Sequence, residues 1–210
     1  MRRLETEIEA SFFRYVESTR VEGFAYPAFW YREQQTKTFI TMALGNLCAG
    51  SVLQEPPIRR STKEGKSSGR VDYYCQFGGK ALLLEFKQRW LGGAQLSLHR
   101  LKSTHSSVAE QIRSLDKKYM VKEWDAYFGL GITLAPIYLN ALVNHKTDKT
   151  LDERLEVAIE TLRKDRNVSA VSYFKNKVNA KKSGERLIVS WAKKQEEYPG
   201  VLMLWYGQRF

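Results

Sequence analysis

The chain contains few of the residues that build disulfide frameworks, zinc sites or membrane spans. It has only two cysteines, Cys48 and Cys75, and no CxxC pair or paired Cys/His spacing, which excludes a structural zinc site. Both cysteines lie in apolar runs, as reduced and buried thiols of cytosolic proteins do. The charged start lacks the apolar core of a signal peptide, and no apolar run reaches membrane-spanning length. We therefore expect a soluble, cytoplasmic protein without a membrane partner.

Histidine is equally scarce, which limits the catalytic and metal-binding chemistry that the chain supports. The three histidines, His99, His105 and His145, are isolated from one another and lack metal-ligand spacing. No nucleophile-elbow pattern points to a Ser/His/Asp triad. We expect all three histidines to be surface residues.

Acidic residues are outnumbered by basic ones, while the hydrophobic content is that of a globular protein. Lys and Arg total 34 against 23 Asp and Glu, a formal net charge of +11, and 43% of the 210 residues are hydrophobic. A length of this order fits a single domain over residues 1–210. The positive charge favours a polyanionic partner, nucleic acid before an anionic membrane surface, although a charge that serves solubility alone is the alternative.

Hydrophobic periodicity predicts a mixture of helices and strands, and hence an α/β or α+β protein. Helices are predicted over residues 4–20, 31–48 and 107–120, and another opens at a capping box that begins with Thr150. Strands are predicted over residues 50–55, over residues 126–136, which end at Pro136, and over two late segments that pair with each other, RLIVSWA and VLMLWYG.

The stretch GRVDYYCQFGGKALLLEFKQ, residues 69–88, predicts a β-hairpin that carries an unusual set of charges. A two-residue Gly-Gly loop between β-rich runs is a strong signal for a tight turn, and it places Phe77 opposite Lys80. The same register brings Asp72 directly opposite Glu85. A one-residue bulge would break this pairing.

Side-chain alternation sorts the hairpin into two faces. One face is predicted to be core and carries Val71, Tyr73, Cys75, Phe77, Leu82, Leu84 and Phe86. The other face carries all of the charges, at the strand ends far from the turn, namely Arg70, Asp72, Glu85 and Lys87.

Two carboxylates directly opposite each other on paired strands repel, because their Cβ atoms are only about 4.5–5.5 Å apart. A divalent cation between Asp72 and Glu85 turns that repulsion into coordination, and Mg²⁺ suits one or two carboxylates completed by waters and phosphate oxygens. The backbone carbonyl of Phe86 is a further candidate ligand. Lys87 is then placed to hold the attacking water or the charge that develops on a phosphate.

An Asp on one strand followed by Glu-x-Lys on the next resembles the PD-(D/E)xK nuclease superfamily, which has the restriction-endonuclease-like fold. The matching segments are Val71-Asp72 and Glu85-Phe86-Lys87, with Val71 where the motif has Pro. The order of predicted elements extends the resemblance over about residues 30–136. It implies an α/β core, a central mixed β-sheet with a hairpin flanked by helices, to which an N-terminal helix and a C-terminal α/β extension are variable additions.

The resemblance also implies a role for each site residue. Asp72 and Glu85 would hold Mg²⁺ or Mn²⁺, and Lys87 would assist the nucleophile. Glu33 on the first core helix, and Gln111 on the helix after the Glu-x-Lys strand, match positions that members of the superfamily use. From the residues alone, Glu33 is equally a first-turn acid that favours the helix macrodipole, and a solvated edge of its helix is the favoured interpretation of Gln111.

Two basic segments are candidates for binding phosphates. Residues 59–70, RRSTKEGKSSGR, are predicted to form a polar loop whose basic residues contact nucleic acid, namely Arg59, Arg60, Lys63, Lys66 and Arg70. The run from Arg163 to Lys194 is also strongly basic, although a solvated face is the alternative.

The expected function is that of a Mg²⁺- or Mn²⁺-dependent nuclease that hydrolyses phosphodiester bonds in DNA. A homodimer is compatible with this expectation. One alternative is a catalytically weak or inactive nucleic-acid-binding module on the same fold. A second alternative is a structural protein whose hairpin charges form a surface salt bridge between Glu85 and Arg70.

Overall fold

The structure is a computed structural model that describes residues 2–18, 20–21, 24–25, 33–48, 52–62, 65–92, 96, 98–116, 126–140, 151–175, 187–191 and 194–210. Its helices are α1 (Arg2–Ser18), α2 (Glu33–Leu47), α3 (Leu98–Arg113) and α4 (Leu151–Arg163). Its strands are β1 (Arg20–Val21), β2 (Phe24–Ala25), β3 (Leu53–Gln54), β4 (Pro57–Thr62), β5 (Gly65–Arg70), β6 (Tyr73–Phe77), β7 (Lys80–Gln88), β8 (Leu91–Gly92), β9 (Ala126–Asn140), β10 (Ala170–Lys175), β11 (Leu187–Trp191) and β12 (Lys194–Arg209). Within these residues, no helix combines the length and apolarity that a membrane span requires.

A mixed eight-stranded sheet lies at the centre of the described chain. Its main path runs in the order β10-β12-β9-β7-β6-β3, with β11 paired to β12 and β8 paired to β9. β7 is parallel to β9, and the other pairings along the main path are antiparallel. β4 and β5 form a separate antiparallel hairpin.

Helices cover both faces of this sheet. α1 and α2 pack on one face, where Phe39 joins Leu84 of β7 in a buried cluster. α3 and α4 pack on the other face, where Ile112 of α3 joins Leu83 of β7. The chain is therefore a mixed α/β protein, as the hydrophobic periodicity predicts. Its central mixed sheet flanked by helices is the arrangement that the resemblance implies. α1, α2 and α4 begin within two residues of their predicted starts.

The predicted hairpin forms in the predicted register. β6 and β7 pair with Phe77 opposite Lys80. The two turn glycines have positive φ values of 54° and 73°, which other residues rarely adopt, so the Gly-Gly sequence determines this turn. Asp72 lies in a bend immediately before β6, and the register continued by one step brings it level with Glu85.

The predicted division of the hairpin into a core face and a charged face is only partly right. Tyr73 is buried beneath α1 and α2 as predicted, but Val71 packs beneath α3 on the opposite face. The bend at Asp72 separates these two residues and interrupts the alternation. Phe77 is exposed beside the turn. The charged face is itself covered, so that Glu85 is only 3% exposed.

Helix α3 begins earlier than the sequence predicts. The capping-box spacing of Ser107 and Glu110 predicts a start near residue 107, but the helix begins at Leu98. Both residues lie inside the helix because its buried stripe starts earlier and includes Leu101, His105, Val108 and Ile112. The helix begins where tertiary packing buries this stripe. A local capping pattern does not reveal such packing.

Pro136 does not end its strand, contrary to the prediction. β9 continues through Pro136 to Asn140, and Pro136 pairs with β12. The pairing of β9 with β12 shifts register between Glu197 and Gly200, next to the position where Pro136 pairs with Val201. Sheets tolerate the missing N–H of proline at such irregularities. The two late segments also pair differently than predicted: β11 pairs with the first part of β12, whereas VLMLWYG pairs with β9 and β10.

His105 is a core residue, and its prediction as a surface residue is wrong. It is 1% exposed, and its ring nitrogens lie 2.9 Å from Thr133 Oγ1 and 3.0 Å from the carbonyl oxygen of Asn167. Burial lowers the pKa of His105 to about 4. His99 is exposed as predicted, and His145 lies outside the described residues.

We expect this buried histidine to make stability depend on pH. Between its unfolded pKa of 6.5 and its folded pKa of about 4, His105 binds a proton in the unfolded chain but not in the folded protein. The free energy of unfolding therefore falls as the pH falls through this range. The full loss is about 3 kcal/mol at 1.36 kcal/mol per pKa unit. Urea unfolding from pH 7.5 to 4.5 should show a shallower decline for His105→Gln than for wild type and for His99→Gln. Parallel declines in all three proteins would contradict this assignment.

Candidate metal and nucleic-acid site

Asp72 is held at the end of the hairpin by two contacts that fix its two carboxylate oxygens. Oδ2 accepts a hydrogen bond from the backbone N–H of Phe86, 2.7 Å away. Oδ1 lies 2.9 Å from Lys37 Nζ on α2. The first contact ties Asp72 to β7 beside Glu85, so the two acidic residues are neighbours, as the register predicts.

Glu85 forms a buried ion pair with Arg60, whose side chain is only 12% exposed. The same guanidinium donates hydrogen bonds to the carbonyl oxygens of Arg70 and Gln111, at 2.6 and 2.7 Å, and to Ser114 Oγ at 3.2 Å. Arg60 therefore joins the β4–β5 hairpin, the end of α3 and the acidic end of β7.

The electrostatics of this cluster reflect both the burial and the closeness of its charges. Burial raises the pKa of Glu85 to about 7, the Arg60 guanidinium opposes this shift, and the nearby Asp72 carboxylate adds to it. Burial lowers the pKa of Lys37, but its hydrogen bond and charge attraction to Asp72 outweigh this effect and raise it overall. A third cation, beside Lys37 and Arg60, would further offset the repulsion between the two carboxylates.

Lys87 and Glu33 come together at the edge of the same site. Lys87 Nζ lies 3.7 Å from Glu33 Oε1, and their side chains are 38% and 35% exposed. Glu33 is the first residue of α2, so its carboxylate also favours the helix macrodipole. Both residues reach solvent, whereas Glu85 does not.

Gln111 is half-buried, and its Oε1 atom is buried and accepts no hydrogen bond from the described part of the chain. Its backbone carbonyl oxygen binds Arg60, the partner of Glu85. Leaving a buried acceptor without a donor is costly, and ordered water commonly supplies the missing hydrogen bond. This observation is independent of the two carboxylates.

The donor types present, two neighbouring carboxylates, are those of a Mg²⁺ site that substrate phosphates complete, but in this structure Lys37 and Arg60 already pair with them. In the described ranges no group of three or more His, Cys, Asp and Glu side chains is arranged to hold a metal. Mg²⁺ does not need such a group, because it is commonly held by one or two carboxylates together with water and substrate phosphates. Asp72 and Glu85 would supply the carboxylates, and the Phe86 carbonyl stays a predicted third ligand, since the observed contact of Phe86 is made by its N–H. The Gln111 amide oxygen accepts no bond from the described residues.

The sequence analysis did not predict the roles that Lys37 and Arg60 have in this cluster. Lys37 lies one helical turn after Glu33 on α2, and this spacing was a usable signal that the two share a face. Arg60 was predicted to contact phosphates, but it lies inside the protein and pairs with Glu85. No local pattern could reveal that contact, because it depends on how β4 docks against α3.

The predicted basic loop is instead the β4–β5 hairpin, and its exposed residues remain candidates for phosphate binding. The hairpin is fastened to the end of α3 by hydrogen bonds from Ser61 N to Ser114 O and from Asp116 N to Arg59 O. Arg59 and Lys66 are exposed, and Lys66 Nζ lies 3.6 Å from Asp116 Oδ2. Lys63 lies outside the described residues.

The surface salt bridge predicted between Glu85 and Arg70 is not formed. Arg70 pairs with Glu55 at 3.1 Å on the exposed side of the hairpin, whereas Glu85 pairs with Arg60 inside it. In the second basic segment, Arg163, Lys164 and Arg166 are exposed, and residues 176–186 and 192–193 lie outside the description.

Comparison of the chain with protein-family models, with curated proteins and with solved structures returned no match. The function is therefore inferred from the geometry of the described residues.

Proposed function

We propose that the chain is a Mg²⁺- or Mn²⁺-dependent nuclease with a restriction-endonuclease-like core, hydrolysing phosphodiester bonds in DNA. The observation that carries this proposal is the closeness of Asp72 and Glu85 at one end of the hairpin, where Asp72 accepts a hydrogen bond from the backbone N–H of Phe86, the residue after Glu85. In this proposal, metal binding is the reason that a sheet holds two acids side by side.

Each residue of the cluster has a task in this proposal. Mg²⁺ bound there would polarise the scissile phosphate and lower the pKa of the attacking water. Asp72 and Glu85 provide the negative charge that attracts the ion. Lys87, which is partly exposed and oriented by Glu33, stabilises the negative charge that develops on the phosphate. Gln111 Oε1, unpaired among the described residues, is available to accept a hydrogen bond from a water molecule.

A second candidate function is a nucleic-acid-binding module without catalysis. The observation that favours it is that both carboxylates already have a cationic partner, Lys37 for Asp72 and Arg60 for Glu85. In this alternative the two basic side chains take the place of the metal permanently. The charge of +11 and the exposed basic hairpin serve either function.

The experiment that separates these functions is incubation of the protein with supercoiled, linear, branched and single-stranded DNA. Reactions contain millimolar Mg²⁺, Mn²⁺ or a chelator at matched ionic strength. The nuclease proposal predicts cleavage of at least one substrate with the metal ions and none with chelator. Binding of DNA without cleavage under every condition would support the binding module instead.

The β4–β5 hairpin is expected to contribute affinity that does not depend on DNA sequence. Replacing both Arg59 and Lys66 with Gln should lower the slope of log K against log salt by roughly 0.9 for each phosphate that the protein no longer neutralises. Arg2→Gln, an exposed change on α1, is the matched control and should leave the slope unchanged. Fluorescence anisotropy over a series of salt concentrations measures the slope. An unaltered slope in the double variant would show that the hairpin does not contact DNA phosphates.

A further inference from the structure

A second candidate site lies at the turn end of the β6–β7 hairpin, whereas the acidic cluster lies at the other end of the hairpin. A cavity of about 540 Å³ opens beside the turn of the β6–β7 hairpin, between the helices α1 and α2 and the sheet. It meets β7 at Lys80–Leu82, whereas the acidic cluster begins at Glu85, roughly 10–17 Å along the strand at 3.3 Å per residue. Its volume lies within the range of small-molecule sites, about 300–1,000 Å³.

The wall of this cavity is apolar. It is formed by side chains from both helices and from β7 and β9, including Leu4, Leu44, Leu47, Leu82, Phe128 and Leu130. Such a wall excludes nucleic acid, whose backbone is charged along its whole length, and it suits a hydrocarbon chain, since burial of apolar surface is its main source of affinity.

The mouth of the cavity is cationic. Arg3, Lys80 and Arg209 belong to its lining, all three are exposed, and no described Asp or Glu lines the cavity with them. Arg3 lies over the Phe77 ring with its Cζ atom 5.5 Å from the centroid, and Lys80 Nζ lies 5.7 Å from the centroid of Phe128. Cation–π contacts therefore position Arg3 and Lys80 at the mouth of the cavity. No carboxylate of the described residues lies among the lining residues to neutralise them.

We propose that this cavity binds a monoanionic amphiphile with a single hydrocarbon chain, of the chemical class of the long-chain fatty acids. The hydrocarbon chain fills the apolar cavity, and the carboxylate meets Arg3, Lys80 and Arg209 at its mouth. The combination of an apolar wall and a cationic mouth defines this class of ligand. The proposal does not rest on the nuclease function, since the two sites share no residue.

Displacement of fluorescent dansyl-undecanoate from the 210-residue protein tests the proposal, with all amphiphiles below their micellar concentrations. Laurate should displace the probe. Dodecanol, which has the chain without the charge, should compete at least about fivefold more weakly, and inorganic phosphate should not compete. Equal competition by laurate and dodecanol, or the absence of saturable probe binding, would overturn the proposal.

Variants locate the site within the protein. Leu82→Trp fills the cavity, and Lys80→Glu reverses a charge at its mouth, so each should weaken laurate binding at least about fivefold. Arg100→Glu, an exposed charge reversal on α3, is the control for net charge and should bind laurate normally. Far-ultraviolet circular dichroism and thermal melts establish that each variant is folded. If Lys80→Glu and Arg100→Glu weaken binding equally, the amphiphile adsorbs through net charge and the assigned site is wrong.

A lipid bilayer presents the same chemistry, so the experiment includes sedimentation with phosphatidylglycerol vesicles. A site for single-chain monomers predicts that Lys80→Glu and Leu82→Trp lose laurate binding without changing the fraction of protein that sediments. Loss of vesicle binding in both variants, with no displacement of the probe by laurate, would assign the surface to membranes and contradict the proposal.

Discussion

Glu85→Gln should lower the rate of metal-dependent DNA cleavage by at least about 10²–10³, the usual cost of removing a positioned charge stabiliser. The substitution keeps the size of the side chain and removes the negative charge that Mg²⁺ requires. Lys87→Gln should have an effect of similar size, because Lys87 is the cation at the solvent side of the site. Single-turnover cleavage with the preferred DNA substrate measures both rates.

Two controls make this result specific to the site. DNA affinity measured in chelator should change little in either variant, since neither residue belongs to the exposed basic hairpin. Glu110→Gln, an exposed change on α3, should cleave like wild type. If either Glu85→Gln or Lys87→Gln cleaves at the wild-type rate, the residue is not part of the catalytic machinery.

Arg60→Gln should destabilise the fold by about 3–5 kcal/mol in chelator, the cost of leaving a buried charge without its partner. Glu85 is 3% exposed and depends on the Arg60 guanidinium, which also binds carbonyl oxygens of β5 and α3. Mg²⁺ should restore part of the lost stability, because the ion neutralises the same carboxylate. Urea unfolding in chelator and in millimolar Mg²⁺ gives both values.

The neighbouring Arg59 is the matched control, since it lies in the same strand but is exposed. Arg59→Gln should change stability much less than Arg60→Gln does, because interactions of an exposed charge are screened by solvent. The double variant Arg60→Gln/Glu85→Gln removes both charges and should recover part of the stability that Arg60→Gln loses. Equal stability of Arg60→Gln and Arg59→Gln would show that the buried ion pair contributes nothing.

Local sequence signals predicted the part of the site that depends on one turn. The Gly-Gly pair determines the hairpin register, and the register alone makes Asp72 and Glu85 neighbours. Alternation then failed at Val71, because the bend at Asp72 moves that side chain to the other face of the sheet. The mixed α/β class was predicted for a similar reason, since hydrophobic periodicity is also a local property.

Contacts between distant segments could not be predicted from local patterns. Arg60 resembles a surface cation because its neighbours in the sequence are polar, and only the docking of β4 against α3 places it inside. His105 looks isolated because its partners, Thr133 and Asn167, are far away in the sequence. Both residues are buried with specific partners, and burial is a property of the folded chain.

The central claim, that Asp72 and Glu85 form a site for a divalent cation, is tested most directly by thermal melts of wild type and Asp72→Asn. Each protein is melted in chelator and in millimolar Mg²⁺, with sodium chloride added to equalise the ionic strength. An ion that binds only the folded state at a hundredfold excess over its Kd stabilises it by about 2.7 kcal/mol. The account predicts a clear rise in wild-type Tm with Mg²⁺ and little or no rise for Asp72→Asn. A wild-type Tm that does not respond to Mg²⁺, or an equal response in both proteins, would contradict it.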